Sequence, residues 1–149
     1  SVTLLEMAAA VQFVEVVGHK EAAVATNLMP GVAEVFHIDT SSDEATNLTD
    51  LIDDDINDVK LLRALDVDGD GDLDVMLINE SDAHVWLNEL SGGNGFSHSS
   101  ASLSDLGLPL MSTQSIVDVV VQDSNSFAVA INDADGNHSG VALVDMDFI

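Results

Sequence analysis

The chain contains no cysteine and no tyrosine, and only three of its residues are lysine or arginine. The lack of cysteine excludes disulfides, thiolate metal sites and a cysteine nucleophile. Against three basic residues stand 27 acidic ones, and the formal net charge of -24 at pH 7 excludes nucleic acid and anionic membrane surfaces as partners. Apolar runs of the ~18 residues that span a membrane are also missing, so we expect no membrane insertion.

Aromatic residues make up only 4% of the chain, although 46% of its residues are hydrophobic. We therefore expect a core of Val, Leu, Ile and Ala, buried in one domain that spans residues 1–149. The acidic excess destabilises a compact state unless cations offset the repulsion, which indicates calcium, a saline environment, or both. The N-terminus lacks the basic region of an intact signal peptide, and a start at Ser1 indicates a processed chain or an excised piece.

Acidic residues are most regularly spaced between positions 66 and 74, where aspartates alternate with other residues around two glycines. Ca²⁺ takes six to eight oxygen ligands at roughly 2.3–2.6 Å, so a compact site needs several carboxylates from one short, sharply bent segment. An acidic hairpin without metal is the alternative, but carboxylates this close repel one another strongly without a cation. We predict Ca²⁺ as the cofactor, with these ligands: Asp66, Asp68, Asp70 and Asp74 by carboxylate, and Asp72 by its backbone carbonyl.

The same segment does not fit an EF-hand. If Asp66 is loop position one, the twelfth position is Leu77, where an EF-hand requires a bidentate glutamate. Residues 73–79 are rich in branched apolar side chains, which is typical of a buried strand. The calcium loop is therefore predicted to lie between two strands and to close at Asp74.

Internal repeats indicate how those strands are organised. Three segments share an apolar, charged, apolar, apolar order, and each precedes an apolar strand that ends in Asn27, Asn79 or Asn132. Third strands are predicted at residues 34–39, 84–88 and 141–145, and fourth strands at 48–51 and 103–106, with a counterpart at 2–5. The three segments with the apolar, charged, apolar, apolar order are the predicted first strands, at residues 14–17, 62–65 and 117–120.

Repeats of roughly 50 residues with four short strands each are typical of β-propeller blades. The predicted fold is all-β, with three four-stranded propeller-blade-like repeats at about 8–51, 52–106 and 107–149, and residues 1–7 as a closing strand. The equivalent loops in the outer repeats lack the ligand pattern, and Lys20 places a cation where the metal would lie. We therefore expect one calcium site.

The segment from Asp66 to Asn79, the following His84-Val85-Trp86-Leu87-Asn88 and the glycine-rich turn that ends at Gly95-Phe96 together resemble the FG-GAP or VCBS repeat. This family forms integrin-like propellers and occurs in many secreted bacterial proteins. The resemblance implies a calcium ion held between the first two strands of a blade by the same five aspartates. Because family propellers usually have six to eight blades, it also implies either a homo-oligomer whose two chains complete a six-bladed ring or one part of a larger propeller.

The resulting functional prediction is a calcium-binding, non-catalytic propeller module that recognises or adheres to a protein or glycan ligand, or takes part in assembly. Weak calcium loops suit millimolar extracellular calcium, so we expect a secreted or cell-surface protein, with the periplasm as a further location. Two alternatives remain: a carbohydrate-active enzyme or its accessory domain, and a structural subunit of an extracellular polymer. No nucleophile elbow or phosphate-binding loop supports catalysis.

Three weaker features each have an ordinary structural explanation. Asp133 and Asp135 fit a hairpin turn better than a second cation site. His37 and His84 fall at similar places in the repeats and are predicted to be strand residues rather than transition-metal ligands. Trp86, the single tryptophan, is expected to pack in the core rather than stack on a sugar.

Overall fold

The computed structural model describes residues 10–17, 21–29, 32–39, 44–52, 55–56, 59–89, 95–108, 110–123, 126–137 and 139–149, with side chains from Ala33 onward. The predicted closing strand at 1–7 and the loop that contains Lys20 lie outside these residues. The described part of the chain forms a short 3-10 helix, Thr49–Leu51, and eleven strands: β1 Ala10–Val17, β2 Glu21–Met29, β3 Val32–Asp39, β4 Glu44–Asn47, β5 Leu61–Leu65, β6 Asp74–Ile78, β7 Asp82–Asn88, β8 Phe96–Ser102, β9 Gln114–Asp123, β10 Ser126–Asp133 and β11 Gly140–Asp145.

These strands form three antiparallel sheets in which neighbours along the chain pair with each other. The first sheet has the order β1-β2-β3-β4, the second β5-β6-β7-β8, and the third β9-β10-β11. The all-β prediction is confirmed, and the first and second sheets have the four strands expected of each repeat. The third sheet has three strands within the described residues, and the arrangement of the sheets as propeller blades stays a prediction.

The predicted positions of the fourth strands are wrong. Residues 48–51 and 103–106 were expected to be strands, but they form the 3-10 helix and a turn. The fourth strands are β4 and β8, each of which ends immediately before a buried leucine, Leu48 or Leu103. Residues 48–51 and 103–106 therefore occupy equivalent positions in the first two repeats. Their buried leucines pack in the core directly after the fourth strand and are not part of that strand.

The second sheet is buried on both faces because it lies between the other two. One face packs against Ala33 and Val35 of β3 and against Leu48, through these side chains of the second sheet: Leu62, Val75, Leu77 and Trp86. The opposite face packs against Ile116, Val119, Phe127, Val129 and Val144 of the third sheet, through Leu61, Met76, Ile78, Ala83 and Val85. Burial on both faces explains the uninterrupted apolar sequence of β6, in which every residue is buried.

Trp86 of the second sheet contacts Leu48, the residue directly after the last strand of the first sheet. Its side chain is 0% exposed, and its indole Nε1–H donates a hydrogen bond of 3.0 Å to the backbone carbonyl of Leu48. A buried indole N–H normally requires such a partner. The expectation that Trp86 is a packing residue is therefore confirmed.

The third repeat is offset from its predicted register by one residue. Asn132 was aligned with Asn79, but Asn132 is exposed, whereas Asn79 and Asp133 are both 4% exposed. The side-chain Oδ1 atoms of Asn79 and Asp133 each accept backbone N–H groups of the turn that follows. Asp133 is therefore the counterpart of Asn79, and a register shift between Ala130 and Ile131 accompanies the offset.

Candidate metal centre

The aspartate loop connects β5 to β6, the first two strands of the second sheet. Two of its residues, Gly69 and Gly71, have positive φ angles of 82° and 94°. Residues with a side chain rarely adopt this left-handed conformation, whereas glycine does so without strain. The glycines therefore allow the loop to turn back on itself and to bring its aspartates together.

Three of the five predicted ligands lie together. Asp66, Asp68 and Asp74 each offer a carboxylate oxygen, and these oxygens all lie within 4.8 Å of one another. Among the described residues, this is the one group of three or more histidine, cysteine, aspartate or glutamate side chains with such spacing. Its donors are all carboxylate oxygens, which is the chemistry preferred by hard cations such as Ca²⁺ and Mg²⁺.

Hydrogen bonds within the loop position Asp66. Its Oδ1 accepts the Gly69 N–H at 2.7 Å, and its Oδ2 accepts the Gly71 N–H at 3.1 Å. Asp68 accepts the N–H of Asp70 through Oδ1 at 3.2 Å. The loop backbone is thus folded around the carboxylates, which leaves further lone pairs on these oxygens for a cation.

Asp74 is the buried member of the cluster, with 1% of its surface exposed. Its Oδ2 accepts the Val67 N–H and its Oδ1 accepts the Asn88 N–H, both at 2.7 Å. Burial raises the pKa of Asp74 from 3.8 to about 6, opposed by these two hydrogen bonds and reinforced by the negative charges of Asp68 and Asp70. A cation at the cluster would offset this unfavourable desolvation and repulsion.

The other two predicted ligands lie at the exposed side of the loop. Asp70 is exposed, is not part of the three-carboxylate group, and accepts the Asp72 N–H through Oδ1 at 2.8 Å. Asp72 is half-buried, and its predicted role concerns only its backbone carbonyl. The structure therefore brings together Asp66, Asp68 and Asp74, and leaves ligation by Asp70 and Asp72 as a prediction.

The second acidic segment forms a turn. Residues 134–137 are part of the connection between β10 and β11, and Gly136, with φ of 73°, donates its N–H to the Asp133 carbonyl at 2.8 Å. Asp133 accepts the Asp135 N–H through Oδ1 at 3.0 Å. These contacts are those of an ordinary aspartate-glycine turn.

The histidines form contacts that the sequence analysis missed. His84 of β7 lies beside His98 of β8, with 3.1 Å between Nδ1 and Nε2, so that one ring donates its N–H to the other. Both rings lie against Trp86, with centroid distances of 5.9 and 5.1 Å. His37 instead lies against Phe96, at a centroid distance of 5.0 Å. The cross-strand pairing of Trp86 with His98 is the signal that would have identified this cluster.

Acid is expected to destabilise the fold through His98. Burial, with a smaller contribution from His84, lowers the pKa of His98 from 6.5 to about 4. His98 therefore binds a proton more readily in the unfolded chain than in the folded protein. Its contribution to the free energy of unfolding is fully present above pH 6.5 and is lost as the pH decreases towards 4. Urea denaturation at about pH 7 and about pH 5 should show a larger loss in the wild type than in His98→Gln.

Carboxylates titrate in both the wild type and His98→Gln, so their contribution cancels when the pH-dependent losses of stability in the two proteins are compared. Equal losses in the two proteins would contradict the assignment to His98.

An open cleft of about 490 Å³ lies between the end of β6 and the segment that leads into β9. Its volume falls within the range of small-ligand sites. At its edge, Lys60 Nζ lies 3.4 Å from Glu80 Oε1. Other polar groups of the lining include the side chains of Asn79, Ser112, Gln114 and Ser115.

Within the described residues, no helix is both long and apolar enough to cross a membrane. Comparison of the sequence with protein-family models and with curated proteins, and of the chain with solved structures, finds no match.

Proposed function

We propose that the protein is a calcium-binding, non-catalytic extracellular module whose sheets are the blades of a propeller. The observation that carries this proposal is the convergence of the Asp66, Asp68 and Asp74 carboxylates within 4.8 Å in a loop between paired strands. An all-oxygen donor set of this kind suits Ca²⁺. The resemblance of residues 66–96 to the FG-GAP or VCBS repeat supports the same function.

The role of the ion is to stabilise the middle sheet. Asp74 begins β6, and its carboxylate also holds the backbone N–H of Val67 in the loop and of Asn88 at the end of β7. A cation that neutralises Asp74 therefore favours the folded positions of the loop and of two neighbouring strands. Calcium acts in this proposal as a structural ion, since binding to the folded state alone raises the free energy of unfolding.

The chemistry of the cluster supports an extracellular location. Asp68 is exposed and Asp66 is half-buried, so the ion would exchange with solvent. Exposed loops with few protein ligands bind calcium weakly and are saturated where calcium is millimolar, as it is outside cells. The net charge of -24 is also better tolerated in a medium that supplies divalent cations and salt.

In this proposal, a protein or glycan ligand binds at the cleft between the end of β6 and the segment that leads into β9, which supplies suitable groups. Its exposed Ser112 and Ser115 hydroxyls can donate and accept hydrogen bonds, as a hydroxyl-rich ligand requires, whereas Asn79 Oδ1 and Gln114 Oε1 already accept backbone N–H groups. Apolar surface from Ile78, Leu110, Met111 and Ile116 adjoins these polar groups. A few polar groups on an apolar wall are typical of sites that recognise small ligands.

Thermal denaturation tests the proposed calcium site. We expect the melting temperature of metal-stripped protein to rise by several degrees when calcium is added at a hundredfold excess over its Kd, and to return on addition of EDTA. Sodium chloride at matched ionic strength is the control, because it screens charge without occupying the site. A melting temperature that calcium does not change beyond the effect of the salt would contradict the proposal.

A further inference from the structure

Two histidines on neighbouring strands bring two ring nitrogens together near the β8 edge of the second sheet. His84 lies on β7 and His98 on β8, the last strand of that sheet. Cross-strand pairing places His84 opposite Ser100 and His98 opposite Trp86, so the two histidines are diagonal neighbours on one face. Nδ1 of His84 and Nε2 of His98 lie 3.1 Å apart, and we call these two residues the histidine pair.

The distance between these nitrogens matches that of two imidazole ligands on one metal ion. Metal–nitrogen bonds in proteins are about 2.0–2.1 Å long, so two ligands at square-planar to tetrahedral angles lie roughly 2.9–3.4 Å apart. The observed 3.1 Å falls within this range. Rotation about χ2, which is a soft torsion for histidine, turns both lone pairs towards a shared ion while the strands keep their register.

Neutral imidazole is the form of histidine that binds metal ions. Burial lowers the pKa of His98 to about 4, so this ring is neutral at neutral pH and has a nitrogen lone pair. In the hydrogen-bonded pair, the ring that donates carries its lone pair on its other nitrogen, and a change of tautomer brings that lone pair to the ion. Metal binding therefore replaces one hydrogen bond between the rings with two metal–nitrogen bonds, and no proton leaves the pair.

The surroundings of the histidine pair provide access for an ion and for its remaining ligands. His84 is buried, whereas His98 is half-buried and Ser100 on the same strand is exposed. Solvent therefore reaches the pair from β8, and water can complete the coordination of an ion held there. The net charge of -24 also concentrates cations at the protein surface.

We propose that His84 and His98 form a binding site for a divalent transition-metal ion that prefers imidazole ligands, namely Cu²⁺, Ni²⁺ or Zn²⁺. Calcium and magnesium prefer oxygen donors, so the histidine pair and the aspartate loop select different metals. Two protein ligands make this site weaker than structural zinc sites, which have four. The proposal does not depend on calcium at the aspartate loop, so the two proposals can fail separately.

The fluorescence of Trp86 reports the ion. Trp86 is the single tryptophan, and both rings of the histidine pair lie against it, so a paramagnetic Cu²⁺ bound there quenches its emission. In excess calcium, which competes for the carboxylates, we expect Cu²⁺ at up to about 0.1 mM to lower the emission at least about twofold. Ni²⁺ should require a higher concentration, because it binds nitrogen ligands less tightly than Cu²⁺. Mg²⁺ should leave the emission unchanged.

Substitutions separate the histidine pair from other copper sites on an acidic chain. His98→Gln and His84→Gln should each lose most of the quenching. His37→Gln is the matched control, because it makes the same change at a histidine that lies against Phe96 instead, and it should be quenched like the wild type. Asp68→Asn, in the aspartate loop, should also be quenched like the wild type. Equal quenching of the wild type and a folded His98→Gln would overturn the proposal.

Electron paramagnetic resonance tests the ligands in the wild-type protein, without a substitution that could disturb the fold. With substoichiometric Cu²⁺ and excess calcium, we expect hyperfine splitting from imidazole nitrogens, which His98→Gln should lose. Circular dichroism in urea establishes that each variant folds. A wild-type spectrum of oxygen ligands alone would overturn the proposal, and so would Trp86 emission that Cu²⁺ does not lower.

Discussion

Calcium at a hundredfold excess over its Kd is expected to raise the free energy of unfolding of the wild-type protein by about 2.7 kcal/mol, and Asp68→Asn is expected to lose most of this gain. Asp68 belongs to the three-carboxylate group but is exposed, and its Oδ1 accepts only a loop N–H. Asparagine keeps a carbonyl oxygen that can accept the same N–H. The substitution therefore removes one of the three clustered charges that attract the ion while leaving the fold almost unchanged.

Asp70→Asn is the matched comparison for this experiment, because Asp70 is a predicted ligand that lies outside the three-carboxylate group. It makes the same change of charge two residues away, at an exposed aspartate that also accepts a loop N–H through Oδ1 but lies outside the three-carboxylate group. Urea denaturation of each variant, with calcium and with EDTA, gives the calcium-dependent part of the stability. We expect a clearly smaller calcium effect in Asp68→Asn than in Asp70→Asn. Equal losses would instead support the full five-aspartate ligand set, and an undiminished effect in both would contradict the site.

Trp86→Ala is expected to lower the free energy of unfolding by about 3–5 kcal/mol, the range for removal of a large buried aromatic side chain. Trp86 is completely buried in the core between the first and second sheets. Its loss leaves a cavity there and removes the hydrogen bond to the Leu48 carbonyl. The effect therefore combines lost packing with the loss of one of the two hydrogen bonds that the Leu48 carbonyl accepts, since the bond from the Leu51 N–H remains.

Trp86→Phe separates these two contributions. Phenylalanine retains most of the apolar surface but has no N–H, and the Leu48 carbonyl keeps the hydrogen bond from the Leu51 N–H. The expected loss is therefore about 0.5–1.5 kcal/mol, the usual net contribution of one hydrogen bond. Far-ultraviolet circular dichroism in urea measures both variants, since neither contains a tryptophan to report unfolding by fluorescence. A loss below about 1 kcal/mol for Trp86→Ala would contradict the structural role of the side chain.

The sequence predicts the inner strands well because burial leaves a clear apolar pattern. The predicted first, second and third strands all overlap strands of the structure, and β6 is recognisable from its branched apolar residues alone. The outermost strands leave a weaker pattern. β8 reads Phe-Ser-His-Ser-Ser-Ala-Ser and is only partly buried, so hydrophobic periodicity does not identify it. Residues 103–106 contain two leucines, Leu103 and Leu106, and the apolar pattern therefore predicted the fourth strand there instead.

The same distinction applies to the candidate site. Alternation of aspartate and glycine predicts a sharply turned loop, and Gly69 and Gly71 do adopt the left-handed conformation. Spacing alone does not reveal which carboxylates point towards one another, since that depends on loop hydrogen bonds such as those of Asp70 with Asp72. The contact of His98 with His84 depends on strand register, which a sequence without a recognised β8 does not provide.

The most direct test of a calcium-binding loop is a crystal structure of the protein grown with calcium, with anomalous scattering used to locate the ion. We expect one cation among Asp66, Asp68 and Asp74, with oxygen distances of roughly 2.3–2.6 Å. Well-ordered density for this loop at saturating calcium, with only water between the three carboxylates, would contradict the proposed function.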